Sequence, residues 1–206
     1  MKFILIGNSG VGKSAMLFQF IEDRFRNDLE PTIGIEFGTK LVNIQGESIR
    51  LQIWDSAGQE NYRSITRSYY RNTICALLMY DIANRKSFND LKSWLKEAKT
   101  HGNTNTHYVL LANKCDIEDK RVISTQEGIR FAHNNNLAFY EVSAKENINV
   151  TKAFEEACEK ILGDIKKGTI DPSDESIGVK VGVVNSGSLV ITEEKMNKKI
   201  KRRKCC

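Results

Sequence analysis

Residues 7–14 read Gly7-Asn8-Ser9-Gly10-Val11-Gly12-Lys13-Ser14, the pattern G-x-x-x-x-G-K-[ST], after an apolar run at 3–6 and before a helical segment at 14–22. A strand, such a loop and a helix in that order are the context of a phosphate-binding loop. Glycines let the backbone curl until successive N–H groups point at one phosphate, and the helix turns its positive N-terminus to the same charge. The alternative is a Gly-rich turn that only joins a strand to a helix; the full spacing with both flanks speaks against it. Ser9, Gly10, Val11, Gly12, Lys13, Ser14 and Ala15 are the candidate phosphate contacts. Lys13 is placed to reach the β- and γ-phosphates of a nucleotide, and the Ser14 hydroxyl to bind magnesium.

Such a loop needs a sheet behind it. A chain of 206 residues with 40% hydrophobic content is enough for one α/β core and short for two. The reading is a nucleotide-binding domain over 1–168 and a flexible tail over 169–206. The longest apolar run, 74–80, has seven residues, far below the roughly 20 that span a bilayer. The run at 3–6 is too short for a signal-peptide core. Cys75, Cys115 and Cys158 are scattered without metal-ligand spacing, which fits a reduced, cytosolic setting. Seven of the last twelve residues are Lys or Arg, and taking them from the formal net charge of +5 leaves −2 for residues 1–194. The basic surface is therefore a tail and not a face of the fold.

Leu17, Phe20 and Ile21 give the first helix its apolar side, and it runs out near Asp23. The stretch 25–33 has no periodicity and contains Pro31; it reads as a loop in which Thr32 is able to ligate a metal. Alternating strands follow at 36–44 and 48–55, joined through Gln45-Gly46-Glu47 as an antiparallel hairpin. The second ends in Asp55-Ser56-Ala57-Gly58-Gln59-Glu60. Asp55 is the expected second magnesium anchor, Gly58 allows close approach to the γ-phosphate, and Gln59 is able to orient an attacking water. Alone, that string is an ordinary turn; after a phosphate loop it gains meaning. The run 74–80 predicts a central parallel strand. A helix is expected over 87–100, with Ser87 as its cap and Phe88, Leu91, Leu95 and Ala98 on one side.

A strand at 108–112 delivers Asn113-Lys114-Cys115-Asp116. Asp116 can accept hydrogen bonds from N1–H and the exocyclic amino group of guanine, which adenine does not offer there, so the site would reject adenine strongly. Asn113 would tie this segment to the phosphate loop, and the Lys114 stem would cover the base; the bland alternative is a polar loop. Ser124-Thr125-Gln126-Glu127 is a capping box opening a helix, and a strand at 138–142 leads to Ser143-Ala144-Lys145. The Ala144 backbone is suited to guanine O6. Val150, Phe154, Ala157, Ile161 and Ile165 mark the last helix, ended by Gly168, and from 169 onward few large apolar residues remain, which reads as a tether. His101, His107 and His133 receive no role.

With these pieces in place the chain resembles a small GTPase of the Ras superfamily and, within it, the Rab family. The strings that carry the likeness are Ile33-Gly34-Ile35-Glu36-Phe37, Arg50-Leu51-Gln52-Ile53-Trp54, Tyr62-Arg63-Ser64-Ile65-Thr66, Tyr69-Tyr70-Arg71 and Leu78-Met79-Tyr80-Asp81-Ile82. It extends over 1–180, and the strings at 64–71 and 168–182 most resemble the Rab-two subgroup of endoplasmic reticulum to Golgi traffic. The fold implied is a P-loop NTPase: a three-layer, doubly wound α/β arrangement with a six-stranded, mostly parallel sheet, one antiparallel edge strand, and helices on both faces. By the same resemblance Phe25 stacks on guanine, Thr32 binds magnesium and senses the γ-phosphate, and Ile35, Phe37, Trp54 and Tyr69 form an effector surface. Core or hairpin packing is the plainer reading of the aromatics. Tyr70-Arg71-Asn72-Thr73 lacks the usual Gly-Ala, Asn61 replaces a longer side chain, and Ser9 replaces a glycine of many relatives. These departures bear on partners and not on nucleotide chemistry.

Cys205-Cys206 resembles a doubly geranylgeranylated terminus without a C-a-a-X box. Two lipids supply the paired signal that stable anchoring needs, and the basic cluster adds attraction to anionic lipid. A solvated tail, a nuclear-import stretch or an RNA-binding stretch are the alternatives; no aromatic is interleaved, so the membrane is favoured over nucleic acid. The implied partners are an exchange factor, a GTPase-activating protein, GDP dissociation inhibitor, Rab escort protein with geranylgeranyl transferase, and effectors. The protein is expected to be a monomer cycling between cytosol and the cytoplasmic face of endoplasmic reticulum, Golgi or endosomal membranes. The expected chemistry is magnesium-dependent phosphoryl transfer from GTP to water, with Lys13, Thr32, Gly58 and Gln59 in the catalytic set. A phosphate-loop kinase, for which Arg63, Arg67 and Arg71 would serve as lid residues, and a GTP-binding module without useful hydrolysis are the rivals.

Overall fold

The computed structural model describes residues 1–58 and 63–180. Along these the chain runs β1 (Lys2–Ile6), α1 (Lys13–Glu22), β2 (Ile35–Ile44), β3 (Glu47–Ser56), α2 (Arg63–Tyr70), β4 (Cys75–Asp81), α3 (Arg85–Asn89), α4 (Leu91–His101), β5 (His107–Asn113), α5 (Thr125–Asn135), β6 (Ala138–Val142) and α6 (Val150–Lys166). The strands form one six-stranded sheet in the order β2-β3-β1-β4-β5-β6. Only β2 is antiparallel to its neighbour. It is forced to be, because Gln45 and Gly46 close the hairpin as a two-residue turn with φ of 53° and 85°. Positive φ at both positions matches the twist of the paired strands.

Strand period divides the core in two. From β1, Phe3 and Leu5 face one layer while Ile4 and Ile6 face the other. In β4, wholly buried, Cys75, Leu77 and Met79 alternate in the same way with Ala76, Leu78 and Tyr80. The first layer is covered by α1 and α6, whose Phe20 and Phe154 rings stack at 4.0 Å. The second is covered by α4 and α5, with Trp94 entirely buried. This is the three-layer arrangement with helices on both faces that the sequence predicts. The carboxyl ends of β1, β3, β4, β5 and β6 all open on one edge, where a doubly wound sheet places its ligand. Among the described residues no helix is long and apolar enough to cross a membrane.

Two expectations are corrected. The segment expected as one helix over 87–100 begins at Arg85 and is interrupted at Asp90. Its cap is Asn84, whose side chain accepts from the Ser87 N–H at 3.2 Å. Ser87 is instead fully buried, donating to the Asn84 carbonyl at 2.7 Å and accepting from the Asp81 N–H at 3.1 Å. Asn three residues upstream supplies the acceptor that an N-cap requires. At the other end, residues 169–180, read as the start of a tether, pack on the body. Ile170, Ile177 and Val179 join the α1/α6 layer, and the Lys2 N–H donates to the Gly178 carbonyl at 2.8 Å. Three apolar residues without a period, among Asp, Ser and Gly, leave no pattern to read.

The Ser124 capping box is present, with side chain and backbone of Ser124 and Glu127 bonded reciprocally. Ile177→Ala should lower unfolding stability by about 2–5 kcal/mol, the range for emptying a buried aliphatic site. Urea titration of the full-length protein would measure it, and a change within about 0.5 kcal/mol, as for a surface residue, would show that 169–180 does not contribute to the core.

Candidate functional site

The loop after β1 is shaped by close approach. Gly12 has φ 97°, and a Cβ there would come within 2.3 Å of Asn113 Nδ2. At Gly58 a Cβ would lie 2.2 Å from Ser9 N, and the Ser9 N–H in fact donates to the Gly58 carbonyl at 3.1 Å. Only glycine lets these three segments, 7–12, 58 and 113, lie against one another. Gly12 is also the N-cap of α1 and provides no side-chain cap. The first N–H groups of that helix are left to whatever sits in the loop.

Lys13 folds back under the loop. Its ammonium donates to the Gly7 and Asn8 carbonyls, each at 3.0 Å, and it is 5% exposed. Burial pulls it down to about 8, opposed by Asp55. Asp55 is fully buried at the end of β3. Burial pushes its carboxyl up to about 6 against the pull of Lys13 and of its hydroxyl donors. Its Oδ2 accepts from Ser14 Oγ and, at 3.2 Å, from Thr32 Oγ1, while the two hydroxyls lie 2.8 Å apart. Its Oδ1 is buried without a hydrogen-bond partner among the described residues. Two hydroxyls and a carboxylate with a spare oxygen form an all-oxygen donor set, which suits a hard divalent cation such as magnesium.

On the other flank Asn113 ends β5 and spans the gap to the loop, donating to the Val11 carbonyl at 2.7 Å. Lys114 donates to the Gly10 carbonyl at 2.9 Å and pairs with Asp81 at 2.7 Å. Ser143 Oγ donates to Asp116 Oδ1 at 2.6 Å. The Ala144 N–H, expected to face a base, lies 3.3 Å from Asn113 Oδ1, a long bond that a better acceptor can share.

These pieces surround a cleft of about 470 Å³ lined by Ser9, Gly10, Gly12, Lys13, Ser14, Ala15, Phe25, Thr32, Gly58, Asn113, Lys114, Asp116, Ala144 and Lys145. Val11 and Ser143 do not line it; both are fully buried and act through Asn113 and Asp116. The cleft also includes Arg26, Leu29, Glu30, Pro31 and Ile117, which sequence reasoning missed. The first four sit in a loop without periodicity, and only the position of Ile117 beside Asp116 could have pointed to it. Arg26 is already engaged, with its guanidinium on Glu22 at 2.7 Å and over the Phe18 ring at 4.3 Å.

Beside the cleft, Phe37, Trp54 and Tyr69 form a row with ring centroids 4.8 and 5.0 Å apart. Phe37 is 50% exposed and Ile35 is half-buried. Lys2 fixes the row from beneath. Its ammonium donates to the Tyr69 and Arg71 carbonyls at 2.7 Å each and lies 5.4 Å from the Trp54 ring centroid. Burial lowers it to about 8. Its place at the start of a strand is the sole signal for Lys2 in the sequence. Gln59, Cys205 and Cys206 lie outside the described residues.

A family profile described as Ras family matches residues 2–163. That span includes the whole sheet, the phosphate loop and both flanks of the cleft. The chain belongs to the Ras family of small GTPases, switches that bind and hydrolyse GTP.

Proposed function

We propose that the chain is a Rab-type switch that, loaded with GTP, recruits effectors to an intracellular membrane in vesicle traffic. The observation that carries the switch is the position of Thr32. Its hydroxyl sits 2.8 Å from Ser14 Oγ and 3.2 Å from Asp55, and it lies five residues before Phe37 on the same chain segment. A contact that Thr32 makes in the cleft is thereby passed to the aromatic row. Removal of the γ-phosphate would release Thr32 and Gly58, and with them the arrangement an effector reads. The Rab reading is supported by the strings around Phe37, Trp54 and Tyr69 and by the side-by-side packing of those three rings.

In this reading Ser14, Thr32 and Asp55 hold magnesium, which when bound neutralises charge on the β- and γ-phosphate oxygens. Lys13 holds the same oxygens from below. The loop N–H groups of 9–15 orient the phosphates, Gly58 N–H approaches the γ-phosphate, and Gln59 positions the water. Phe25, Lys114 and Lys145 enclose the base, Asp116 reads its N1–H and amino group with Ser143 holding it in place, and Ala144 reads O6. The globular domain with its cleft is the working part, and the basic tail ending in Cys205 and Cys206 is the anchor, carrying two geranylgeranyl groups. Rab escort protein, geranylgeranyl transferase and GDP dissociation inhibitor are then partners, beside the exchange factors, activating proteins and effectors of the family. The site of action is the cytoplasmic face of endoplasmic reticulum, Golgi or endosomal membranes.

Among the described residues one arginine, Arg26, lines the cleft, and it is held by Glu22 and Phe18; in this reading an activating protein supplies the arginine that completes the site. Intrinsic turnover is expected on the order of 10⁻⁴ to 10⁻³ s⁻¹, as for Ras. Single-turnover phosphate release measures this, and a rate above about 1 s⁻¹ would contradict it. Gln59→Leu should abolish stimulated hydrolysis and retain effectors, whereas a module without useful hydrolysis would be unaffected. Replacing Cys205 and Cys206 together by Ser should move the protein from membranes to cytosol; continued membrane residence would sink the anchor.

A further inference from the structure

The phosphate loop is held on the base side by Asn113 and Lys114, which bond to the carbonyls of Val11 and Gly10. Its opposite shoulder is held quite differently, by a side chain of the loop itself. Asn8 reaches across the sheet edge to α4. Its Oδ1 accepts from the Trp94 indole N–H at 2.6 Å, and its Nδ2 donates to Asp90 Oδ2 at 2.7 Å. The two partners fix the orientation of the amide, because an indole is only a donor and a carboxylate oxygen only an acceptor.

The contact is matched in both directions. A buried indole N–H left without an acceptor is expensive, and Trp94 has no exposed surface. The main chain at Asn8 supports the chemistry directly. Its carbonyl receives the Lys13 ammonium at 3.0 Å, and a Cβ on Gly58 would approach its carbonyl carbon to 2.3 Å. Where the Asn8 backbone lies therefore decides where Lys13 and Gly58 lie.

We propose that Asn8 is a positioning residue for the phosphate site, anchoring the loop to α4, opposite its base-side anchors, through its paired contacts with Asp90 and Trp94. The phosphate loop is thus held at both ends, and the register of α4 is part of the site. The matched polarity makes a specific demand: residue 8 must offer an acceptor to Trp94, and the contact between residues 8 and 90 must pair a donor with an acceptor, which one carboxylate and one amide do most strongly. Exchanging the two preserves every bond, because an aspartate at 8 can accept from both the indole and an asparagine at 90. Changing one alone sets two carboxylates, or two amides, face to face.

The inference rests on the loop being the GDP site. Uptake of one equivalent of a fluorescent GDP by the wild-type full-length protein establishes that site on its own, and its failure would count against the site rather than against Asn8. With that in hand, GDP release is timed for the wild type, Asn8→Asp, Asp90→Asn and the double exchange. Asn8→Asp should speed release by about tenfold, the effect of turning a charge-assisted bond into a like-charge contact. Asp90→Asn, which keeps a neutral amide contact, should speed it less. The double exchange should return to within about twofold of wild type, a recovery that independent sites do not show. Release by the double exchange as fast as by Asn8→Asp, failure of the double exchange to fold or load, or an Asn8→Asp rate equal to wild type would each overturn the proposal.

Discussion

A buried ammonium and a buried carboxylate that lie near each other without direct ion-pair contact are the constraint on which the cleft is built. Lys13 is held by two main-chain carbonyls, with no ion pair among the described residues. Desolvating an isolated charge is unfavourable by several kcal/mol unless a counter-charge is brought to it. Asp55 is close enough to oppose the loss of the lysine proton but is itself shifted toward its neutral form by burial. Neither charge satisfies the other, so both favour a ligand that carries an anion to Lys13 and a cation to Asp55. A nucleotide polyphosphate with a divalent ion is such a ligand, and affinity and chemistry then have the same origin.

Holding those charges apart requires a rigid frame, and the sheet supplies it. Most of the groups that line or support the cleft enter from the end of a strand: the phosphate loop from β1, Asp55 from β3, Asp81 from β4, Asn113 from β5 and Ser143 after β6, whereas Phe25 and Thr32 come from the loop between α1 and β2. β1, β4 and β5 are packed on both faces, while β2 at the edge is largely exposed. Thr32 lies just before β2, Phe37 and Trp54 are paired across β2 and β3, and Tyr69 is on α2, so the aromatic row sits on the sheet edge next to the strand ends that carry the phosphate loop and Asp55.

Much of this was legible in the sequence because it is local. The phosphate loop, the Asp55 to Gly58 string and the Asn113 to Asp116 string are each short, carry their chemistry in consecutive residues and follow an apolar or alternating stretch that marks a strand. The two-sided core was legible in the seven-residue apolar run, since only a strand covered on both faces has no polar side. What escaped depends on contacts distant in sequence. Lys2 meets Tyr69 and Arg71, Asn8 meets Asp90 and Trp94, and Ile177 returns to the first strand's layer. None of these leaves a period or a motif. The misplaced cap at Ser87 is a different kind of error: both Asn84 and Ser87 are competent caps, and only the end of β4 decides between them.

The most direct test of the account is the identity of the nucleotide carried by the purified, untagged protein, released by heat and separated by ion exchange. A cleft that satisfies Lys13 with phosphate and Asp116 with guanine should retain about one equivalent of GDP. An adenine nucleotide, or none, would contradict the reading of Asp116 and of the buried charges together.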